Sequence, residues 1–564
     1  MRWTSNQDFD PHKIDKLKEA LGVDRSIAEL LIKREISTFD QAKSFFRPSL
    51  EQLHDPFLMK GMNQACDLIL EHLKLKKNIM VYGDYDVDGT SSVALMTSYL
   101  KELGLEIISY IPDRYKEGYG ISYTGIDFAN EKKIDLIIAL DCGIKAIEKV
   151  AYAKQLGIDF IICDHHRPGD KIPEAAAVLD PKQHDCHYPY EELCGCGVGF
   201  KLIQALQTKL EKPQRAIYKY LDLVATAIGS DIVPITGENR ILAHFGLMLI
   251  NSKKRPAFKA ILEQTKKQEL TITDVVFMIG PRINAAGRMK HGLLATNLLC
   301  EGDLQKVKAL AEDIELFNTD RKDKDKAITQ EALDLIKEKQ EEDRFTTVVY
   351  QPHWHKGVIG IVASRLTETY YRPTLVFTKS GDKLAASARS VKGFDVYDAL
   401  QGSSEFIEQF GGHKYAAGLT LEERNYEKFK EKFEEVVKST IHPDLLIPEL
   451  KFDSELSFKD ISPKFIRILK QFAPFGPGNM KPTFVTRGVV TTGFVKALGE
   501  DGLHLKANLK NDDRVFTSIG FNLGSKKNIM ESNQKFDIIY TIEENEWNGN
   551  TTIQLNLKDL KKAN

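Results

Sequence analysis

Short apolar runs alternate with longer segments of helical periodicity between about residues 60 and 180. In the longer segments, 62–73, 90–103 and 146–156, apolar residues recur every three or four positions. The short runs, rich in Ile, Val and Leu, span residues 78–82, 106–110, 134–140, 159–162 and 176–179. Strands and helices that alternate in this way are typical of βαβ units, so the pattern predicts a mostly parallel sheet flanked by helices.

A second α/β unit is predicted from residue 344 to residue 442. Its strands are expected at residues 346–350, 374–378 and 383–387, and a helix at residues 360–368. Residues 303–343, between the two units, form a long and highly charged stretch of helical periodicity. Alternating charges at this density usually mark a solvated helix face. We therefore interpret this stretch as a connecting helix rather than a binding patch.

The two ends of the chain have different patterns. After Pro443 and Pro448, alternating segments predict several short strands, as in a small β-barrel, at residues 483–496, 503–510, 536–543 and 551–557. Short helices are predicted at residues 13–21, 25–33 and 40–46. The chain thus divides into an N-terminal helical cap without catalytic chemistry, a first α/β domain, a connecting helix, a second α/β domain and a barrel, at residues 1–55, 56–302, 303–343, 344–442 and 443–564.

The composition is that of a multidomain globular protein. The 564 residues are too many for one core, and 42% apolar and 28% charged residues are ordinary values. The first residues lack the apolar segment of a secretory signal, and the apolar runs are too short to span a membrane, so we expect a cytoplasmic protein without a membrane partner. With a net charge of −2, any surface for nucleic acid must be local, and the seven cysteines are expected to be reduced.

Three aspartates, Asp84, Asp86 and Asp88, stand where the first strand is predicted to end and a helix to begin. Two carboxylates ~4 Å apart repel by roughly 4 kcal/mol at an effective dielectric constant near 20, so a bound cation is expected. A calcium-binding EF-hand loop would need Glu at its twelfth position, and that position is Leu95. A solvated turn is the remaining alternative for this segment taken alone.

Two further strands are followed by residues that can bind metal. Asp141 follows the run 134–140, and Asp164-His165-His166 follow the run 159–162. A single Asp after a strand is usually a helix N-cap, but ligands of such sheets bind at the carboxyl ends of the strands, where these clusters would meet. Carboxylates and imidazoles from separate strands suit divalent ions such as Mg²⁺ or Mn²⁺. An apolar helix predicted at 221–228 would bring Asp231 to the same edge.

The motifs together resemble those of the DHH phosphoesterase superfamily. The resemblance rests on the Asp-His-His motif at 164–166, the Gly-Asp-Tyr-Asp-Val-Asp-Gly motif at 83–89 and the Asp-Cys-Gly motif at 141–143. Motifs at 229–234, 281–288 and 411–418 are similar to those of the RecJ branch, the 5′→3′ single-stranded-DNA exonucleases. The resemblance runs from roughly residue 55 onward. It implies two α/β lobes, a DHH domain with a parallel sheet and a DHH-associated domain, joined by a long helix and followed by an OB-fold barrel.

The resemblance also implies a reaction and its residues. The reaction would be two-metal hydrolysis of single-stranded DNA to 5′-mononucleotides in repair and recombination, with Mn²⁺ or Mg²⁺. One ion would be bound by Asp84, Asp86 and Asp141, and the other by Asp88, Asp141, His165 and Asp231. Asp84 is the position at which superfamily members vary. His166 would contact the scissile phosphate, and Asp164 would orient a ligating histidine. The catalytic residues implied are thus Asp86, Asp88, Asp141, Asp164, His165, His166 and Asp231.

The substrate is expected to lie in the cleft between the two lobes. Arg and Ser side chains donate to phosphate oxygens, and glycines let the backbone approach them. The residues expected to bind the strand are Arg282, Asn284, Arg288, Ser387, Arg389, Gly412 and His413. From spacing alone, a turn accounts for Gly411-Gly412 equally well. The resemblance suggests single-strand-binding protein and a helicase as partners of a monomer, although no motif indicates them.

The barrel suggests a further surface for single strands. OB-fold barrels bind them with aromatic side chains and a basic groove. Aromatic residues in such a barrel are more often part of its core, and this interpretation is favoured for the candidates, which are Phe472, Phe475, Phe484 and Trp547.

Three alternatives remain open at this point. The cysteines and histidines between residues 184 and 196 could form a structural zinc site, but their spacing does not fit the paired C-x₂-C pattern. A DHH phosphodiesterase acting on short oligonucleotides or cyclic dinucleotides would share the metal ligands, but such relatives generally lack a barrel like the one predicted at 443–564. A degenerate scaffold that binds DNA without hydrolysis would have lost metal ligands, and here all the expected ones are present.

Overall fold

In the computed structural model, the described residues form four sheets surrounded by helices, and one of these sheets is a single pair of strands. The structure describes residues 1–564 except residues 6–8, 253, 264, 266, 268, 533, 548 and 564, and it leaves out the side chains of Glu500 and Trp547. None of the described helices is long and apolar enough to cross a membrane.

The N-terminal segment is one strand followed by three helices. Asp10 caps the first helix by accepting a hydrogen bond from the His12 amide, and Thr38 forms a capping box with Gln41 at the start of the third. These elements are β1 (Arg2–Ser5), α1 (Pro11–Leu21), α2 (Arg25–Ile32) and α3 (Phe39–Phe46).

The first lobe contains the parallel sheet predicted from the apolar runs. Its strands are β2 (Ile79–Gly83), β3 (Ile107–Tyr110), β4 (Leu136–Leu140), β5 (Asp159–Cys163) and β6 (Ala177–Leu179). All neighbours pair in parallel in the order β3-β2-β4-β5-β6. Because the connections after β2 and β4 leave in opposite directions, a crevice opens between their carboxyl ends, which is where ligands bind in sheets of this kind.

Helices cover both faces of this sheet. They are α4 (Met62–Leu75), α5 (Val87–Glu102), α6 (Tyr123–Glu131), α7 (Ile147–Gln155), α8 (Gly195–Lys209), α9 (Leu221–Ser230), α10 (Gly237–Ser252), α11 (Pro256–Ile261), α12 (Ile272–Asp274), α13 (Gly280–Met289), α14 (Leu293–Cys300) and α15 (Leu304–Glu338). Helix α15 is the predicted long connecting helix, and it packs against α13 in the first lobe and against the second lobe further on.

The second lobe is a mixed five-stranded sheet. Its elements are β7 (Thr347–Tyr350), α16 (Ile359–Tyr370), β8 (Thr374–Ser380), β9 (Lys383–Arg389), α17 (Val396–Gln401), β10 (Gln409–His413), β11 (Ala416–Leu421) and α18 (Tyr426–Thr440). The order is β10-β11-β9-β8-β7, antiparallel except for the β7–β8 pair. The three predicted strands and the predicted helix are present, and the β10–β11 hairpin extends the sheet.

The C-terminal part is the predicted barrel. Its elements are β12 (Glu449–Phe452), β13 (Ser454–Glu455), α19 (Pro463–Lys470), β14 (Phe484–Leu498), β15 (His504–Asn511), β16 (Arg514–Gly520), α20 (Lys527–Glu531), β17 (Phe536–Trp547) and β18 (Asn550–Lys562). The sheet runs β13-β14-β15-β16-β18-β17 and closes because β14 also pairs with β17.

The aromatic candidates of the barrel are mostly core residues. Phe472 and Phe484 are fully buried, and Phe475 is half-buried against the same core. The Trp547 side chain lies outside the described residues. The buried pair therefore cannot act as stacking platforms for a DNA strand in this fold.

The N-terminal helices and the barrel share one core. Leu17 and Leu30 belong to the same buried cluster as Phe465 and Phe484, and β1 pairs in parallel with β12. Helices α1 to α3 and strand β1 are thus packed against the barrel domain.

Candidate active site

The carboxyl ends of β2, β4 and β5 bring the predicted acidic and imidazole residues to one edge of the sheet. Asp86 is the N-cap of α5, where its side chain accepts a hydrogen bond from the Gly89 amide. Asp141, directly after β4, has a left-handed backbone with φ of 61°. Such a conformation is strained for a residue with a side chain, and it is found most often at functional sites.

His165 lies at the centre of a group of carboxylates. Its Nε2 is 3.1 Å from Asp141 Oδ1, 3.6 Å from Asp231 Oδ2 and 3.9 Å from Asp88 Oδ2. Asp88, His165 and Asp231 each place one ligand atom within 4.8 Å of the others, and so do Asp141, His165 and His166. The helix α9 delivers Asp231 to the edge, as the sequence predicts.

The N-terminus of α8 holds Asp88 in place. The amides of Gly195 and Cys196 each donate a 2.7 Å hydrogen bond to the Asp88 carboxylate, which is fully buried. A Cβ atom on Gly195 would lie 2.6 Å from the Cβ of Asp141, so only glycine lets the helix approach this closely. Sequence reasoning missed these two residues. The glycines that precede the apolar helix pattern at 198–206 could have indicated an anion-binding helix N-terminus.

Burial and mutual repulsion make this group unstable without a cation. Burial, and then the charge of Asp86, raise the pKa of Asp88 to about 7. Burial, and then the charge of Asp88, raise the pKa of Asp231 to about 8 and that of Asp141 well above its usual range. Burial and the neighbouring His166 lower the pKa of His165 to about 3, so its imidazole is neutral and can bind a metal ion.

Asp164 orients His166 instead of joining the carboxylate group. Its Oδ1 accepts a 2.7 Å hydrogen bond from His166 Nδ1, and its Oδ2 accepts one from the Ile144 amide. Burial opposes the charge of His166, but the hydrogen bond and the charge of Asp164 outweigh it and raise the pKa of His166 to about 9. The other ring nitrogen of His166 lies 3.0 Å from the hydroxyl of Tyr119, a residue that the sequence did not single out.

The other predicted ligands lie beside this group. Asp84 is buried, with Oδ1 3.5 Å from the Gly120 amide, and burial and the charge of Asp86 raise its pKa. Neither Asp84 nor Asp86 is among the three-residue metal-binding groups that the described residues form. The structure thus brings together Asp88, Asp141, His165 and Asp231, the set predicted for one ion. The set predicted for the other ion stays a prediction.

The predicted alternative of a zinc site has no geometric basis. Within the described part of the chain, no metal-binding group includes Cys186, Cys194 or Cys196. Cys194 instead caps α8 through its sulfur, and the amide of Cys196 binds Asp88.

Three family models match successive parts of the chain. The N-terminal domain of the DHH family matches residues 78–228, the DHHA1 domain matches residues 343–439, and the RecJ OB domain matches residues 452–559. The single-stranded-DNA-specific exonuclease RecJ of Escherichia coli (strain K12) is 34% identical over 88% of this chain and 89% of its own length. The chain belongs to the RecJ family. The RecJ of Bacillus subtilis (strain 168) is also 34% identical, over 99% of this chain and 70% of that relative.

Solved RecJ structures have the same fold. The Thermus thermophilus RecJ in complex with Mn²⁺ matches with a TM-score of 0.85 and 27% identity over 100% of this chain and 80% of that chain. The complex of that protein with Mg²⁺ matches with a TM-score of 0.78 and 25% identity, over 100% of this chain and 79% of that chain. These are the two ions that the sequence predicts.

The residues at the sheet edge fit such an ion. Among the described residues, Asp141 Oδ1, Asp84 Oδ2 and both ring nitrogens of His165 are buried without a hydrogen-bond partner. Buried polar atoms are almost always paired, so these need a ligand. Mn²⁺ binds readily to a set of carboxylate oxygens and one imidazole nitrogen. Mg²⁺ prefers oxygen ligands and would bind mainly to the carboxylates of this set.

An arginine cluster lies near the acidic edge of this RecJ-family chain, where Arg114 is 4.6 Å from the centre of the ring of Tyr85, the residue between Asp84 and Asp86. Burial, and then the charges of Arg114, Arg321 and Arg389, lower the pKa of Arg288 to about 10. Burial and the charge of Arg114 lower the pKa of Arg389 as well. Within the described residues, none of these four guanidiniums forms an ion pair with a carboxylate. We call them the arginine cluster. Arg288 and Arg389 are predicted substrate residues, whereas Arg114 and Arg321 were missed.

The second lobe adds a flat floor next to this cluster. Ser387, Gly418 and Gly411 stand opposite one another in one row across the sheet, and Arg389, Ala416 and His413 do so two rows further on. Because side chains alternate between faces, these two rows share one face. Gly412 belongs to the row between them, on the opposite side. With φ of 149°, it could not carry a Cβ, which would lie 2.4 Å from the Ala416 carbonyl oxygen.

The remaining two predicted substrate residues lie on α13. The Arg282 guanidinium pairs with Glu315 of α15 and donates to the Met278 carbonyl, so it joins the two helices. Asn284 is half-buried on the same helix. The structure does not place Arg282 in the arginine cluster.

Proposed function

We propose that this protein degrades single-stranded DNA from the 5′ end and releases 5′-mononucleotides by metal-assisted hydrolysis. One observation carries the proposal: beside the buried carboxylates, which need cations, Arg114 of the arginine cluster lies 4.6 Å from the centre of the ring of Tyr85, the residue between Asp84 and Asp86. A phosphodiester chain held by both satisfies the two sites at once. The membership in the RecJ family and the single-stranded-DNA-specific exonucleases among the relatives support the same reading.

The acidic edge is the proposed site of hydrolysis. Asp88, Asp141, His165 and Asp231 would hold one divalent ion, and Asp84 and Asp86 would contribute to a second beside Asp141. Such ions would polarise the scissile phosphodiester and lower the pKa of an attacking water. The α8 amides keep the Asp88 carboxylate aimed into the site. His166, fixed by Asp164 and protonated at neutral pH, would contact the oxygens of the scissile phosphate.

The arginine cluster is the proposed anchor for the terminal 5′-phosphate. Arg389 and Ser387 lie beside the first turn of α16, where a Cβ on Gly360 would be 3.1 Å from the Arg389 guanidinium. A helix N-terminus and several guanidiniums together favour a doubly charged terminal phosphate over an internal one. Arg389→Ala should therefore reduce the preference for a 5′-phosphorylated over a 5′-hydroxyl oligonucleotide by about tenfold, measured as kcat/KM on matched substrates.

Contacts that bridge the cleft support selection of single strands. Tyr115 donates from its hydroxyl to the Arg288 carbonyl, and Arg288 donates to the carbonyl of Gly357 in the second lobe. The second of these bonds joins the two lobes beside the arginine cluster. We expect a single strand to fit between lobes joined in this way, whereas a duplex would require the lobes to separate.

The outer face of the barrel is the proposed grip on the rest of the strand. Lys496 of β14 stands directly opposite Lys506 of β15, and Asn508 and Lys510 continue the same face. Within the described residues, neither Lys496 nor Lys506 has a carboxylate partner. Like charges placed opposite one another destabilise a sheet, so this pair is better explained by phosphates that bind between them.

All of these parts belong to one chain, which supports action as a monomer. We further propose that the protein works in the cytoplasm in DNA repair and recombination, with a helicase and single-strand-binding protein supplying and covering the strand. Copurification of these partners on immobilised protein would test that part.

A single assay tests the main proposal. Oligonucleotides labelled at either end are incubated with the protein in Mg²⁺ and then in Mn²⁺, as single strands and as blunt duplexes. We expect 5′-mononucleotides released stepwise from the 5′ end of the single strand. Equal rates on blunt duplex, or release from the 3′ end, would contradict the proposal. A rate that falls on lengthening the oligonucleotide would favour a phosphodiesterase for short substrates.

A further inference from the structure

The loop between β3 and α6 covers the acidic edge and is held rigidly. The carboxylate of Glu117 accepts hydrogen bonds from the Tyr110 hydroxyl, the Asp113 amide and the Ser122 hydroxyl. The Tyr82 hydroxyl, from inside the sheet, donates to the carbonyl of Gly120. These bonds fix the loop before any substrate binds.

Tyr119 is presented by this loop between the two charged sites. Its hydroxyl lies 3.0 Å from His166 Nε2, and its ring meets the His166 ring edge-on at 5.9 Å. On the other side, the ring meets that of Tyr85 at 6.3 Å, and Arg114 of the arginine cluster lies 4.6 Å from the centre of the Tyr85 ring. Tyr119 thus stands in a continuous row from Arg114 to His166.

Much of Tyr119 stays exposed despite its two edge-on ring contacts. The residue is 54% exposed, although its hydroxyl is bonded to a half-buried histidine. A large aromatic surface that a rigid loop exposes inside an active-site cleft is available for a ligand. Nucleobases stack on such surfaces irrespective of their sequence, because each base has a π-face.

We infer that Tyr119 contacts the terminal nucleotide of the substrate, stacking on its base while its hydroxyl positions His166. The inference rests on the proposed function, in which the arginine cluster holds the terminal phosphate and His166 faces the next one. The nucleotide to be released then lies along the row that Tyr119 occupies. Tyr119 would in this way limit each hydrolysis event to the release of one nucleotide, since a base bound there places the following phosphate at His166.

The test compares two 5′-phosphorylated oligonucleotides that differ only in the terminal base. One has a normal 5′ nucleotide, and the other has an abasic residue at that position. Release of the first product is measured under single-turnover conditions for the wild type, Y119F, Y119A and Y119L. The matched control is Y123A, since Tyr123 is a similarly exposed tyrosine that packs on Tyr152 at the surface of α6.

In the wild type and in Y123A, we expect the terminal base to accelerate release by about tenfold. Y119A and Y119L should lose this difference, because no aromatic face remains. Y119F should keep it and show a lower maximal single-turnover rate with little change in the half-saturating protein concentration, since only the hydroxyl that positions His166 is removed. Y119L retains the volume of the side chain and serves if Y119A fails to fold.

Two results would overturn the inference. One is a wild type that releases the abasic terminus as fast as the normal one, and the other is a Y119A or Y119L variant that keeps the wild-type ratio. Failure of the proposed function looks different, because the wild type would then release no nucleotide from either oligonucleotide.

Discussion

Asp88 is the carboxylate whose position depends most on the surrounding protein. Its side chain is fully buried and bound by two amides of α8, so its removal changes the metal site without opening a cavity larger than a carboxyl group. Asp88→Ala should reduce hydrolysis by at least about 10²-fold in Mn²⁺ while the circular dichroism spectrum stays native. Asp185→Ala, which removes an exposed partner of Lys60, is the control. Retained turnover in Asp88→Ala would contradict its assignment as a metal ligand.

The same carboxylates make the stability of the metal-free protein depend on pH. In the unfolded chain their pKa is about 4, whereas in the fold the pKa of Asp88 is raised to about 7 and that of Asp231 to about 8. The native state therefore binds more protons than the unfolded state, and its stability falls as the pH rises from about 4 to about 8.

Mn²⁺ binds the deprotonated carboxylates and should reverse this loss. The increase in Tm on adding Mn²⁺ should be larger at pH 8 than at pH 6, as measured by differential scanning calorimetry. In the variant Asp88→Ala the increase should be smaller at both pH values. If the increase in Tm is instead smaller at pH 8 than at pH 6, Mn²⁺ does not bind in place of the protons on these carboxylates.

Residues at strand ends could be predicted from the sequence, whereas residues that reach the site from elsewhere could not. Asp141 and His165 each follow an apolar run, and parallel strands end at one edge, so their meeting was foreseeable. Arg114 and Tyr119 lie in a loop whose path depends on the hydrogen bonds of Glu117. The path of such a loop cannot be predicted from the hydrophobic periodicity of the sequence. The arginine cluster could not be predicted either, because its members come from the two lobes and from α15.

At the scale of elements, two glycines of the β10–β11 hairpin, Gly412 and Gly418, differ in whether the fold requires them. Gly412 is needed because its backbone is left-handed and a Cβ would clash. A Cβ on Gly418 would meet only the Ala386 carbonyl oxygen, at 3.7 Å, so the fold tolerates a side chain there. The packing of the hairpin therefore does not require a glycine at position 418. We infer that the space beside Ser387 is kept free for the substrate.

Substituting Gly418 should thus affect the substrate and spare the fold. Gly418→Val would place a branched side chain in the row of Ser387, and we expect KM for single-stranded DNA to rise about tenfold or more while Tm changes by a few degrees at most. Thr420→Val, on the same strand and face but in the row of Ala385, is the control. An unchanged KM in Gly418→Val would mean that the strand does not cross this floor.

Two of the elements that the sequence did not predict, α6 and β16, are short or lack a clear pattern of their own. Helix α6 contains Gly125 and β-branched or aromatic residues, which weaken a helical pattern. Strand β16 follows β15 after a tight turn, so its alternation merges with that of its neighbour. Buried strands such as β4 gave clear apolar runs, which is why the sheet itself was foreseeable.

At the scale of the whole molecule, the barrel and the active site belong to different domains. Substitutions in the barrel should therefore change DNA binding rather than hydrolysis. The double variant Lys496→Glu/Lys506→Glu should weaken affinity for long single strands and lower the salt dependence of log K by about 1.4, since each lost phosphate contact contributes about 0.7. Anisotropy titrations at several salt concentrations measure both quantities. Lys527→Glu, on α20 and paired with Glu531, is the control. An unchanged salt dependence would place the strand on another face.

The shared core of the N-terminal helices and the barrel affects how the protein is made. During translation, α1 to α3 leave the ribosome before the barrel, and the side chains that cover Leu17 and Leu30 are synthesised only after the two lobes. At about 5–20 residues per second, the apolar faces of these helices wait on the order of tens of seconds for their partner. Chaperone demand should therefore peak early in synthesis, and a premature stop before the barrel would release a nascent chain whose first helices have nothing to pack against.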